Sequence, residues 1–448
     1  MTVAVIGAGV AGAAAARTLR SHGVDALVLE ASEAVGGRTR TVGLEYGAAD
    51  SGAIFLMGSY DATFRYLREA GHEHELRRWE ARAAVLDGDG ERHPVRFDRP
   101  WTFLRLPQLT WRDRRRAVRA IGTLAMRRGP APFDTDELAA VDDGRTLAEW
   151  ARARFGDRVY EYVVRPLMGP LTGADPETIS AAFTIALLGR VHRTQLWVPP
   201  GGLGQIASWL LDGVDVRTAT PVRALEYTPD GMTVHAPGGP FDVQGVIVAT
   251  DVRQARELLD GVVDSSVCAA LDAVEPVPAY HVLLGYHTDP WPDAGHDLVV
   301  QAGPGQHHNY GVLRNSRRAP YSVPPGGQTV SVYFDRTQAP DSDEEQVVAR
   351  ARAAVDRAFG FAVPDFHRVF GMDVALIAPT PGHYEAMRAT RDAMPSRIRL
   401  AGDYLSHSGI EAALLSGERA ARDLLAAGRA TARAAVAQHR DDRRGPRS

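Results

Sequence analysis

The opening stretch of the chain, "TVAVIGAGVAGAAAARTLRSHGVDALVLE", constrains the fold more than any other feature. Val3 to Ile6 is a short β-branched run, the pattern of a buried parallel strand. Gly7, Gly9 and Gly12 come next in G-x-G-x-x-G spacing, and Ala13 to Leu19 are strong helix formers without a breaker. Gly23 closes that helix, and Asp25 to Glu30 reads as a second strand. A βαβ unit of this kind is built to hold a dinucleotide. Its glycines allow a tight turn, close approach of backbone to a pyrophosphate, and close helix–strand packing. The helix N-terminus at Val10 and Ala11 offers partial positive charge to the phosphates. Glu30, with Ala31 beside it, stands where a carboxylate accepts both ribose hydroxyls, which disfavours a 2′-phosphate and hence NADP.

The residues just after this acid separate NAD from FAD. "EASEAVGGRTRT" places Gly36, Gly37 and Arg38 shortly after Glu30. Glycines there let backbone approach a ligand, and a guanidinium donates to phosphate oxygens. The passage resembles the second nucleotide motif of the flavin amine oxidase and protoporphyrinogen oxidase superfamily, where this turn lies against the FAD pyrophosphate.

Further passages resemble the same superfamily, in its order, along the whole chain. "VPPGGLGQIASWLL" (198–211) is similar to the turn before the adenine-side strand. "GVDVRTATPVRALEY" (213–227) alternates like strands around Pro221, and the resemblance puts the backbone of Val222 against the adenine. "GGPFDVQGVIVATD" (238–251) would return the chain to the nucleotide sheet. "ALIAPTPGHYEAM" (375–387) is similar to a turn of the protoporphyrinogen oxidase branch. "SRIRLAGDYLSHSGIEAALLSGERAARDLL" (396–425) reads as strand, turn and helix. It resembles the last FAD motif, with Gly402 and Asp403 closing on the pyrophosphate and ribityl chain, and Gly409, Ile410 and Ala412 turning into a helix aimed at the flavin.

The implied fold is α/β plus α+β: a Rossmann-like FAD-binding domain interleaved with a mixed sheet-and-helix substrate domain. The expected division gives 1–51, 196–263 and 386–426 to the first, 52–195 and 264–385 to the second, and 427–448 to a flexible tail that begins as a frayed helix. Residues 52–195 read as mostly helical. Strands are expected at "AYHVLLGYH" (279–287) and "QTVSVYFD" (328–335), and a helix at 342–360 opened by a Ser342–Glu345 capping box.

Composition narrows the setting. A chain of 448 residues exceeds one ordinary core. The net charge of −4 and the absence of a recognition motif argue against a nucleic-acid partner. No apolar run approaches the roughly 20 residues of a membrane span. A single cysteine, Cys268, leaves no intramolecular disulfide and suits a reducing compartment. The chain starts at its first predicted strand, so a cytoplasmic location is expected; a homodimer is compatible with this reading. The Arg-rich "WRDRRRAVRAIGTLAMRR" (111–128) reads first as a solvated helix face, with an acidic membrane surface or partner as the alternative.

Chemistry is less visible than cofactor. FAD accepts the hydride itself, so few side chains are obligatory. "GPGQHHNYG" (303–311) lacks strand–turn–helix context, so no NAD(P)H site is expected, and O2 is the simplest acceptor. A small-molecule substrate would then lose a hydride from a C–N bond, or from a C–C bond as in porphyrinogen, carotenoid or squalene-type desaturation. A non-catalytic escort role on the same fold is the third class. The sequence contains no lysine. Where amine oxidases of this family hold a water near the flavin with lysine, spacing from Trp291 lands on His281, the candidate catalytic residue. Strand alternation would put Tyr280 and Val282 on the face opposite His281. Where those oxidases clamp the amine with an aromatic, Ile410 stands. His192, His307, His308 and His407 lack ligand spacing, so no metal is expected. Thiol attachment of the flavin would require Cys268, read as helical and in the substrate block, so FAD is expected to be non-covalent.

Overall fold

A computed structural model describes residues 2–126, 129–303, 311–338 and 342–442. Strand β1 (Thr2–Ile6), helix α1 (Val10–Ser21) and strand β2 (Asp25–Leu29) form as the opening pattern predicts. They sit in a five-stranded parallel sheet ordered Asp215–Arg217, β2, β1, Gly245–Val248, Ile398–Leu400. The five strands come from three distant parts of the chain. Both faces of the sheet are covered, which is why β1 is an unbroken apolar run: Val3, Ala4 and Val5 are fully buried. Helix α1 is Ala-rich for a packing reason. It lies between the sheet and the long C-terminal helix (Ile410–Asp442), and a Cβ on Gly417 would come within 2.0 Å of the Ala11 carbonyl. Only small side chains let the two backbones approach so closely.

A seven-stranded sheet builds the other half, in the order Phe366–Ile377, Pro276–Tyr286, Gln328–Asp335, Gly311–Arg314, Leu298–Gln301, Arg82–Leu86, Arg92–Arg96. The last two strands correct the mostly helical reading of 52–195. That block holds helices, but it also contributes an antiparallel hairpin to this sheet, joined in parallel to Leu298–Gln301. One sheet face packs on the helix Glu344–Phe359 through Val282, Leu284, Val330, Val332 and Phe334. Alternation sends Ser331 and Tyr333 to the opposite face, together with His281 from the neighbouring strand.

One local expectation needs correction. The helix Glu344–Phe359 is capped by Asp343, whose carboxylate accepts from the Gln346 N–H at 2.8 Å, and Ser342 lies outside the motif. The C-terminal helix runs through 427 to Asp442, so the segment expected as a tail begins as helix. The "GPGQHHNYG" passage, with His307 and His308, falls almost wholly outside the described residues.

Candidate functional site

A cavity of about 1310 Å³ runs between the two halves. It exceeds an ordinary small-molecule pocket and has room for a dinucleotide with a substrate beside it. Its floor is the turn from β1 into α1, where the three glycines do three different jobs. Gly7 has φ +103°, and a Cβ there would lie 2.7 Å from the Ala249 carbonyl oxygen. A Cβ on Gly12 would lie 1.9 Å from the Gly7 carbonyl oxygen, so Gly12 serves helix–strand packing. Gly9 is different. Its φ of −73° suits any residue, and nothing lies within 4 Å of where its Cβ would be. Neither backbone conformation nor internal packing accounts for glycine at this position. The open space in front of it, on the cavity wall, does.

Val10 and Ala11 also line the cavity, at a helix start with no side-chain cap. The first N–H groups of α1 therefore remain available to an anion. Glu30 lines the same end. Its Oε2 accepts from the Ala8 N–H at 2.7 Å and its Oε1 from the Ser32 N–H at 2.8 Å. A carboxylate has about four lone-pair sites, so both oxygens keep capacity for ribose hydroxyls. Ala31 and Val222 line the wall next to it.

Gly36 and Gly37 border the middle of the cavity, tied to the first turn by the Gly36 N–H donating to the Ala8 carbonyl at 2.9 Å. Arg38 and Asp403 meet there as a bidentate pair, at 2.6 and 2.9 Å, and Arg38 also donates to the Ala375 carbonyl at 3.2 Å. Their motifs assign each of them to the ligand separately and do not show that they hold one another. Gly402, Gly409 and Ile410 complete the wall, with the start of the C-terminal helix facing the cavity.

Two expected ligand residues do not line the cavity. Gly12 is behind the turn. Ala412, two residues beyond Ile410 and so about 200° round the helix, faces a small separate pocket beside Phe133.

His281 needs the larger correction. It does not line the cavity, and its ring is the middle rung of a three-strand ladder. Tyr333 stacks on one side, with centroids 4.4 Å apart, and Phe370 on the other at 5.2 Å. These two are its register partners on the neighbouring strands. Nδ1 lies 3.0 Å from the Ser51 carbonyl oxygen, so it carries the proton; Nε2 lies 2.9 Å from the Ser331 hydroxyl and accepts from it. Burial pushes the imidazole down to about 4. A neutral ring with both nitrogens occupied does not accept a substrate proton. The alternation that placed Tyr280 and Val282 on the other face does hold: both pack in the cluster under the helix Glu344–Phe359.

The end of the cavity beyond Ile410 is a chamber of aromatic and aliphatic side chains that no motif marks. Tyr60 meets Phe133 edge-on at 5.2 Å, and Phe133 meets Phe183 at 5.1 Å. Phe55, Leu171, Tyr333 and Leu376 add to the wall. Burial and the nearby Glu411 carboxylate raise the Tyr60 phenol. Burial pushes the Tyr333 phenol up to about 12. Glu411 fixes one side of the chamber: its carboxylate caps helix α2 (Asp61–Glu69), accepting from the Ala62 and Thr63 N–H groups at 2.7 and 2.8 Å. The one sequence signal for this chamber is the clustering of aromatics between 55 and 183.

Elsewhere, Asp87, Glu91 and His93 bring one ligand atom each within 4.8 Å at a hairpin. The Asp87 carboxylate is already engaged by His93 and Gln108 and by the N–H groups of the turn, so hydrogen bonding accounts for the cluster. Cys268 is buried in the helix Ser265–Asp272 and is not among the residues that line the cavity. No helix among the described residues is long and apolar enough to cross a membrane.

Known proteins share this architecture. Wild-type putrescine oxidase bound to putrescine superposes with a TM-score of 0.72 at 20% identity, covering 95% of this chain and 99% of that one. Cyclohexylamine oxidase from Brevibacterium oxydans gives 0.72 at 19%, covering 94% and 98%. In sequence, the chain is 27% identical over 306 residues to AofH of Mycobacterium tuberculosis, provisionally named a flavin-containing monoamine oxidase; the match covers 65% of this chain and 62% of AofH. It is 24% identical over 312 residues to the coproporphyrinogen III oxidase of the same organism, covering 63% of this chain and 66% of that protein. These matches thus span somewhat under two thirds of each relative's length. The model of the flavin-containing amine oxidoreductases matches residues 10–425, a span that runs from the start of α1 past the Arg38–Asp403 pair into the first half of the C-terminal helix. The chain is a member of that family, the flavin-containing amine oxidoreductases.

Proposed function

We propose that this protein is an oxidase that removes a hydride from a C–N bond of a small-to-medium, largely uncharged metabolite, with O2 as electron acceptor and a biosynthetic role. The observation that carries this reading is the chamber wall. Tyr60, Phe133, Leu171, Phe183, Tyr333 and Leu376 offer no carboxylate to an ammonium group. The charged lining residues Glu30, Arg38, Arg223, Asp251, Arg253, Glu257 and Asp403 belong to the nucleotide end, and Asp373 is exposed and paired with Arg336.

FAD, when bound, supplies hydride acceptance at its ring. In this reading the chain supplies placement. Glu30 holds the ribose, Val222 borders the adenine, and Gly7, Gly9, Val10 and Ala11 with the α1 N-terminus cradle the pyrophosphate. Arg38 and Asp403, with Gly36, Gly37 and Gly402, hold the middle. Gly409 and Ile410 present the C-terminal helix to the flavin. The aromatic walls exclude water and orient the donor C–H. With His281 packed in its ladder, no charged side chain of the wall serves as base.

A second reading is desaturation of a C–C bond. It is favoured by Ile410 standing where an aromatic amine clamp would be, and by the coproporphyrinogen oxidase relative. One experiment separates them: anaerobic bleaching of the bound flavin by candidate metabolites, with mass analysis of the product. Imine formation followed by hydrolysis marks the first reading, and a stable product two hydrogens lighter marks the second. Turnover that strictly requires NADPH would sink both.

Glu30→Ala should weaken FAD binding by about 1–3 kcal/mol, the scale of hydrogen bonds to a charged group. Titration of the apoprotein with FAD checks this. His281→Ala should leave the rate of flavin reduction within a fewfold of wild type. It should cost about 2–4 kcal/mol of stability, because it opens a cavity and leaves Ser51 and Ser331 without their partner. A hundredfold slower reduction with an unchanged melting temperature would restore the catalytic role.

A further inference from the structure

Helix α3 (Trp111–Met126) takes no part in the cavity. It carries Arg112, Arg114, Arg115, Arg116 and Arg119 against a single acid, Asp113, in a chain whose net charge is −4. Its inner face is narrow: only Ala117 and Ala120 are buried. Its outer face combines charge with large apolar groups that nothing among the described residues covers. Trp111 is 64% exposed, Val118 57% and Met126 83%. At about 100° per residue, Trp111, Arg115, Val118 and Met126 fall within roughly 80° of one another. Trp111, Arg112, Arg115, Arg116, Arg119 and Arg154 line a shallow groove of about 610 Å³ on this face, and no carboxylate lines it. Arg112, Arg115 and Arg119 form no ion pair among the described residues, and Arg112 lies over the Trp111 ring at 5.6 Å.

We propose that this face docks on the surface of an anionic phospholipid bilayer. Both halves of the pattern are then used. The guanidinium groups meet lipid phosphates, while Trp111, Val118 and Met126 enter the boundary between headgroups and acyl chains. A nucleic acid would use the arginines and leave the apolar groups in water. The helix lies along the surface, since it is too short and too charged to span a membrane. Binding by this face places the oxidase beside lipid-soluble compounds, but the proposal stands on the surface alone.

The test is flotation of the FAD-loaded protein with vesicles of equal parts phosphatidylglycerol and phosphatidylcholine, and with phosphatidylcholine alone. The protein should float with the anionic vesicles at low salt, be released at high salt, and ignore the neutral ones. Combined Arg112→Glu, Arg115→Glu and Arg119→Glu should weaken binding about a hundredfold. FAD content and melting temperature should stay as in wild type, since these side chains face solvent. Trp111→Ala should remove the blue shift of tryptophan emission on binding. Failure to float with anionic vesicles at low salt would overturn the proposal, as would unchanged flotation of the triple variant. Charge-dependent capture by duplex DNA without flotation would assign the face to a different partner and overturn it equally.

Discussion

Gly9→Val should yield a folded protein that binds no FAD. The side chain enters open space, at a φ of −73° that valine adopts freely, so neither strain nor an internal clash opposes folding. The same branched group stands in front of the α1 N-terminus, where a pyrophosphate must come into contact with backbone. Loss of affinity should exceed a hundredfold, on the order of 3 kcal/mol or more, with the melting temperature matching that of wild-type apoprotein. Gly12→Ala is the counterpart. Its Cβ would lie 1.9 Å from the Gly7 carbonyl oxygen, so β1 and α1 could not close on each other and the protein should be poorly folded. Colourless but well-folded Gly9→Val together with unstable Gly12→Ala would show that one motif holds a ligand contact and a packing contact three residues apart. Retention of yellow flavin by Gly9→Val would remove the pyrophosphate from this turn.

The part of the site legible in the sequence is the part that short-range chemistry writes there. The β1–α1–β2 unit is encoded by a β-branched run, three glycines and an uninterrupted helix former, all within one local stretch. Glu30 is visible because the end of β2 belongs to the same pattern. The misses are long-range. Arg38 and Asp403 each carry a motif, but their pairing joins residues 365 apart. Spacing from Trp291 is what singles out His281. Its neighbours Tyr333 and Phe370 are set by the register of two other strands, and that register decides whether an imidazole faces a substrate or an aromatic ring. Arg82–Leu86 pairs with nearby Arg92–Arg96 as a hairpin, but its other neighbour in the sheet begins at Leu298, so local sequence does not show which sheet the hairpin joins. Ser342 and Asp343 show a limit at the smallest scale. S-x-x-E and D-x-x-Q are offset by one residue, both are good caps, and local sequence does not choose between them.

Acid should destabilise the protein well before its carboxylates titrate. His281, His383 and His407 are 1%, 8% and 1% exposed, and burial pushes each imidazole from 6.5 down to about 4. The causes beyond burial are local: Arg318 adds to the effect at His281, and His383 adds to it at His407. Between about pH 4 and 6.5 the unfolded chain holds protons on these rings that the folded chain does not. Stability therefore rises with pH across that window, is at its plateau above it, and falls as the medium is acidified through it. At pH 5 each ring contributes a loss of about 2 kcal/mol, and three contribute about 6, a large share of the 5–15 kcal/mol that holds a typical domain. Glu411 and Asp297, raised by burial, act in the opposite direction and temper the slope. For a chain of this length the loss corresponds to a melting temperature lower by about 6 °C at pH 5 than at pH 7.5. Melting curves at the two pH values check the total. Single replacements by asparagine apportion it: each should cost stability at pH 7.5 yet remove about a third of the pH dependence. Equal melting temperatures at both pH values would mean that the three rings gain protons in the folded state, and that the aromatic stacks on His281 and His407 tolerate a charge.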